Sequence, residues 1–138
     1  MMERYRFLEH TADAKMQAFG KDLEEAFSNA ALGMFSLMFE PEKVEPKTEK
    51  EIDVEGKDRQ ALLYNWLEEL IFLLDSDGFL LHEVKKLSIE GSRLHAVITG
   101  DKISDKYESH GDVKAVTYNE MDITQKPGKV TVQAVFDL

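Results

Sequence analysis

The chain has no cysteine among its 138 residues, so disulfides, thiolate metal ligands and a cysteine nucleophile are excluded. Cations are scarce as well: 17 Lys and Arg stand against 27 Asp and Glu, a formal net charge of −10. A protein that grips nucleic acid displaces counterions with cationic groups. No basic run stands out here, so direct RNA or DNA binding is not expected; opposite potentials steer association, and a basic protein partner suits the charge better. No apolar run approaches the length of a membrane span. Residues 1–6 lack the basic-then-apolar pattern of a signal peptide, and a cytoplasmic address is expected. There is no zinc-peptidase His pair around a glutamate, no Gly-x-Ser-x-Gly elbow and no phosphate-binding glycine loop. Asp75-Ser76-Asp77-Gly78 resembles a calcium loop only superficially, because the glycine and glutamate such a loop requires are missing at its sixth and twelfth positions. The chain shows no self-contained catalytic apparatus.

What is present reads as one α+β domain over residues 1–138, with 43 % hydrophobic residues to bury a core. Residues 4–9 and 14–20 are expected as strands, joined by a short connection at 10–13. Asp22 opens a first helix, about 22–38, with Glu25 placed to complete a capping box. Leu23, Ala26, Phe27, Ala30, Ala31, Met34 and Phe35 recur at helical spacing and form its apolar face. A charged connection with Pro41 and Pro46 leads to a strand at 51–56. A second helix, about 58–74, starts at Asp58 and buries Leu63, Leu67, Leu70 and Leu74, with Trp66, Ile71 and Phe72 widening the stripe. A turn with left-handed Gly78 ends it. Residues 79–90 and 93–99 read as a hairpin, with Leu87 and Ile89 facing Leu94, Ala96 and Ile98. A polar loop at 100–112, expected to be mobile, precedes strands at 113–118 and 120–124. A turn at 126–129 and a closing strand at 130–136 complete a mostly antiparallel sheet with two main helices packed on it.

The last residues, Val135-Phe136-Asp137-Leu138, run straight out of an apolar strand. Asp13, Asp137 and the carboxylate of Leu138 are then candidates for one cluster of hard oxygens holding a divalent cation. Two unrelated solvated aspartates are the alternative. Oxygen-only ligation favours Ca2+, with Mg2+ or Mn2+ as further choices, and three such groups undersupply Ca2+. His10 beside Asp13 is either a ligand or acid–base partner, or simply a hydrogen-bonded turn histidine. Lys114 is the cation most worth singling out, against the alternative of an ordinary surface lysine.

Five stretches carry a resemblance across nearly the whole chain: Glu9-His10-Thr11-Ala12-Asp13; Leu23-Glu24-Glu25-Ala26-Phe27 through Met34-Phe35; Leu67-Glu68-Glu69-Leu70; Val113-Lys114-Ala115-Val116-Thr117-Tyr118; and Phe136-Asp137-Leu138. In this order they resemble the archease family, with leucine where the family more often ends in isoleucine. The resemblance implies a single α+β archease domain and a non-catalytic accessory role. Such a protein would activate an RtcB-type tRNA-splicing RNA ligase, promoting its guanylylation and multiple turnover and broadening its nucleotide use. It also implies metal-site residues at Asp13, Asp137 and Leu138 and a required lysine at Lys114; Lys114 and His10 are the residues expected to serve ligase activation. A general chaperone or modulator of nucleic-acid-processing proteins, and a small metal-dependent hydrolase, are the competing expectations.

Overall fold

The computed structural model describes residues 3–9 and 13–138. Its strands are β1 (Tyr5–Leu8), β2 (Ala14–Gly20), β3 (Thr48–Glu55), β4 (Phe79–Glu90), β5 (Arg93–Lys102), β6 (Ala115–Lys126) and β7 (Lys129–Asp137), with helices α1 (Leu23–Ser36) and α2 (Arg59–Asp77). The strands divide between two antiparallel sheets. Sheet A has the order β1-β2-β7-β6 and sheet B the order β3-β5-β4.

Both helices begin where the sequence places their caps. The Asp22 carboxylate accepts from the Glu25 amide at 2.9 Å, and Glu25 reaches back to the Lys21 amide at 2.8 Å, one residue earlier than in the simplest capping box. Asp58 accepts from the Ala61 amide at 2.8 Å. Gly78 ends α2 at φ 66°, where a side chain would be strained. The helix nevertheless runs through Asp77, three residues beyond the expected end.

α1 packs on β2, β7 and β4, while α2 packs on β6 and β3. The inner face of sheet A offers Met16, Ala18, Val132, Ala134 and Phe136, all fully buried. Small residues let α1 settle closely on it: a Cβ on Gly33 would stand 2.5 Å from the Met16 sulfur, and one on Gly20 would stand 2.4 Å from the Ala26 nitrogen. Trp66 of α2, fully buried, donates its indole N–H to the Phe27 carbonyl of α1 at 3.0 Å and ties the two helices together. Phe72 departs from the expected stripe. It lies about 140° around the helix from Leu67 at 100° per residue, and it faces solvent with 60 % of its surface exposed.

Three other stretches differ from the sequence reading. β3 starts at Thr48, within the charged connection. The polar segment after β5 is tied down at several points: the Ile103 amide donates to the Gly78 carbonyl at 2.7 Å, the Tyr107 hydroxyl donates to Asp101 at 2.7 Å, and the His110 amide donates to the Met38 carbonyl at 2.9 Å. The two strands expected at 113–118 and 120–124 are one strand, β6, with a bulge. Thr117 pairs with Val135 and Asp122 with Gln133, so residues 118–121 stand opposite Ala134 alone. At the bulge Glu120 adopts φ 54°, a backbone region that residues other than glycine, asparagine and aspartate enter at a cost.

Candidate functional site

Sheet A brings the far-separated motifs together at one end. The last ladder pair between β2 and β7 is Ala14 with Phe136, and β6 meets β7 at Ala115 with Asp137. Asp13 directly precedes Ala14 and Asp137 directly follows Phe136, so both aspartates adjoin that last pair. The Lys114 amide donates to the Asp137 carbonyl at 2.8 Å and extends the β6–β7 ladder by one bond. Asp137 and Leu138 therefore sit at the end of the central strand, with Asp13 on one side and Lys114 on the other. Neighbouring strands lie about 4.8 Å apart, so groups remote in sequence become immediate neighbours.

Burial of the adjoining residues fixes the placement. Met16 and Phe136 are fully buried. Because side chains alternate along a strand, the residue next to a buried one is turned to the other face. Asp137, Leu138 and Lys114 are exposed and Asp13 is partly buried. Asp13 and Asp137 face outward from sheet A, away from the helices.

The adjacent row on this face is closed by a strap. Lys15 and Thr117 flank Val135, and the Lys15 ammonium reaches Glu120 of the bulge at 2.9 Å. This ion pair crosses above β7, and Val135 is fully buried beneath it although it belongs to the outer face. Gln133 donates to the Glu120 carbonyl at 2.7 Å, and Gln17 donates to Gln133 at 3.0 Å, so the strained residue is held from two strands. On the opposite side, Glu68 of α2 accepts from the Val116 amide at 2.7 Å and satisfies an outward N–H of the edge strand. Tyr64 of α2 stacks on Tyr118 with centroids 4.3 Å apart and planes 6° from parallel. Burial, with smaller contributions from Glu68 and Tyr118, raises the Tyr64 phenol above its ordinary pKa.

The donors at the strand ends are all oxygens, which suits a hard divalent cation. Among the described residues no three His, Cys, Asp or Glu side chains come together in a metal-holding group. A cation here would thus rely on two aspartates and the Leu138 carboxylate, completed by carbonyls, water or a partner. His10 lies outside the described residues. The other three histidines stand elsewhere: His82 contacts the Pro41 carbonyl, His95 pairs with Asp53, and His110 contacts the Ser36 carbonyl. Sequence reasoning did not find the Lys15–Glu120 strap, the Glu68 cap or the Tyr64–Tyr118 stack. Lys15 alternates correctly with Asp13, but nothing in the sequence marks a bulge long enough to bring Glu120 over it.

The archease protein family (MTH1598/TM1083) matches residues 5–138. The chain belongs to the archease family. It is 38 % identical to the protein archease of Methanothermobacter thermautotrophicus over 140 residues, covering 99 % of this chain and all of that one. It is 41 % identical to the protein archease of Thermococcus kodakarensis over 142 residues, with the same coverage. Among solved structures, the solution structure of Methanobacterium thermoautotrophicum protein 1598 superposes with a TM-score of 0.85 at 37 % identity, over 99 % of this chain and 100 % of that one. The crystal structure of a Thermotoga maritima archease, described as a possible chaperone, shares the fold at a TM-score of 0.63 and 22 % identity, over 95 % and 94 % of the two chains. The expected α+β archease domain, with two helices against antiparallel strands, is therefore the observed one, resolved into two sheets. No helix of this archease is long and apolar enough to cross a membrane among the described residues.

Proposed function

We propose that this archease is a non-catalytic activator of an RtcB-type tRNA-splicing RNA ligase, working through a cation site at the end of sheet A. The observation that carries the reading is the convergence of Asp13, Asp137, Leu138 and Lys114 on three adjacent strand ends, joined by the 2.8 Å bond from Lys114 to Asp137. Asp13, Asp137 and the Leu138 carboxylate would hold a divalent cation, Ca2+ or alternatively Mg2+ or Mn2+. When bound, the cation supplies a fixed positive charge and open coordination positions. The chain itself supplies placement. Buried Met16 and Phe136 anchor the strand ends beside the two aspartates, the Lys114 amide bonds Asp137, and the Lys15–Glu120 strap closes the next row. The Lys114 ammonium, with no carboxylate partner among the described residues, is left to meet a phosphate or carboxylate of the partner.

This end of the sheet would enter the ligase cleft and order its nucleotide for attack by the ligase histidine. Alignment of reactants supplies several kcal/mol to such a step. The test is single-turnover guanylylation of the cognate ligase with wild type, Asp13→Ala, Asp137→Ala and Lys114→Ala. Loss of stimulation in the three folded variants is expected, and wild-type stimulation by all three rejects the mechanism. A general chaperone would instead suppress aggregation of unrelated clients through an exposed apolar patch. Of the exposed large apolar residues, Phe7, Phe72 and Ile103 sit on β1, α2 and the segment after β5, while Tyr118 lies on β6 and Leu138 directly follows β7.

A further inference from the structure

The other end of the same sheet face carries the opposite charge. Beyond the Gln17–Gln133 row, Phe19 of β2, Thr131 of β7 and Thr124 of β6 lie side by side, and Lys129 and Lys126 face each other at the β6–β7 turn. Arg6 of β1 stands opposite Gln17. Together these strands line a cavity of about 270 Å³, with Arg6, Lys126 and Lys129 among its walls. Lys21 directly follows β2 at this end.

We propose that this cavity is an oxyanion site that takes a phosphate group. Arg6 and Lys129 both lie over the Phe19 ring, at 5.4 and 5.2 Å from its centroid. The ring's electron-rich face attracts each cation, so one side chain gathers two like charges that would otherwise separate. Phe19 is itself only 5 % exposed, and so cannot stack on a nucleobase. The site therefore selects charge and oxygen acceptors, not a base. Carboxylates also reach this end, and Glu25 accepts from the Lys21 amide at 2.8 Å. Glu3 pairs with Arg6, and Asp122 accepts the Thr124 hydroxyl at 3.3 Å. Lys126 and Lys129 have no carboxylate partner among the described residues, so a dianion neutralises charge that the protein leaves open. The concentration of cations is local, in a chain of net charge −10, and it arises because three strands, β1, β6 and β7, each contribute one cation to it. Composition alone disfavours a phosphate ligand; the sheet register supplies a place for one. The inference stands independently of the ligase reading.

The test is an amide chemical-shift titration of the full chain in metal-free, low-salt buffer, using pyrophosphate and, separately, an eight-nucleotide oligouridine. Amides of Phe19 and residues 124–131 are expected to move with pyrophosphate. Movement with oligouridine as well extends the ligand to a phosphodiester backbone; movement with pyrophosphate alone restricts it to free phosphates. For a single strand held by three cations, log affinity should fall against log salt with a slope of about −2, and Lys126→Gln with Lys129→Gln should flatten it by about 1.4. The same double variant should weaken pyrophosphate binding at least tenfold, whereas Lys85→Gln with Lys86→Gln on β4 should leave it unchanged. The proposal is overturned if neither probe moves these amides, if the Lys126 and Lys129 variant binds like wild type, or if both double variants lose binding equally.

Discussion

At the scale of single residues, Lys114 has two separable roles. Its backbone N–H closes the ladder onto Asp137, while its side chain points into solvent. Lys114→Ala removes the ammonium and keeps the ladder bond, so its stability should stay within about 0.5 kcal/mol of wild type, as for exposed substitutions generally. Ligase stimulation should nevertheless be lost. Lys114→Pro removes the N–H and should also weaken cation binding, which calorimetry with Ca2+ would register; equal cation affinities in the two variants would contradict this division.

Asp101 provides a pH-dependent case. The Tyr107 hydroxyl, and after it the Lys102 amide, hold this carboxyl below the usual carboxylate range. A depressed folded-state pKa stabilises the fold above the unfolded value, and that stability is lost as pH falls through the folded value. Tyr107→Phe removes the largest cause. The stability gap between wild type and variant, read from denaturant melts, should be full at neutral pH and narrow below about pH 3.9, the ordinary aspartate value. A gap unchanged through the acid range would contradict it.

At the scale of elements, the α1–α2 contact depends on Trp66. Trp66→Ala should cost about 3–5 kcal/mol in a denaturant melt, through the cavity left behind and the lost bond to Phe27. A loss under 1 kcal/mol would mean that the helices are held mainly by the sheets. The helices were legible in the sequence because their signals are local: Asp22 and Asp58 as caps, apolar residues at three- and four-residue spacing, and Gly78 as the stop. Leu87 lies opposite Ala96 and Ile89 opposite Leu94, as expected, because a short turn fixes the hairpin register, whereas Ile98 pairs with Val84 beyond a bulge. The split into two sheets was not legible. Strand order depends on contacts between residues up to a hundred or more apart, as in the Lys15–Glu120 pair, and alternation alone does not say which edge a strand joins. The bulge at residues 118–121 escaped for the same reason. Its partners Lys15, Gln133 and Glu68 come from three other elements.

At the scale of the whole molecule, the outer face of sheet A carries charged groups at both ends, with Val135 and Phe19 as buried apolar residues between polar ones, and is graded in charge. Asp13 and Asp137 lie at one end, with Arg6, Lys126 and Lys129 at the other. Asp13, Asp137 and Leu138 are nameable from their residue types, and the register of β2 with β7 runs up to Ala14 and Phe136, the residues next to the two aspartates. The basic end was not nameable, because Arg6 and Lys126 are separated by nearly the whole chain. A cation that binds only the folded protein stabilises it by mass action, about 2.7 kcal/mol at a hundred times its Kd. Wild type should therefore melt at a higher temperature in Ca2+ than in EDTA, and Asp13→Asn with Asp137→Asn should abolish the difference. An increment that persists in the double variant would place the cation elsewhere.

The central claim is that the ends of β2 and β7 hold one cation between them. It is tested most directly by calorimetric titration of Ca2+ and Mn2+ into wild type, Asp13→Asn, Asp137→Asn and a chain shortened by Leu138. A single site per chain is predicted in wild type, weakened at least tenfold by each of the three changes. Undiminished binding in any of the three, or no binding by wild type, would contradict it.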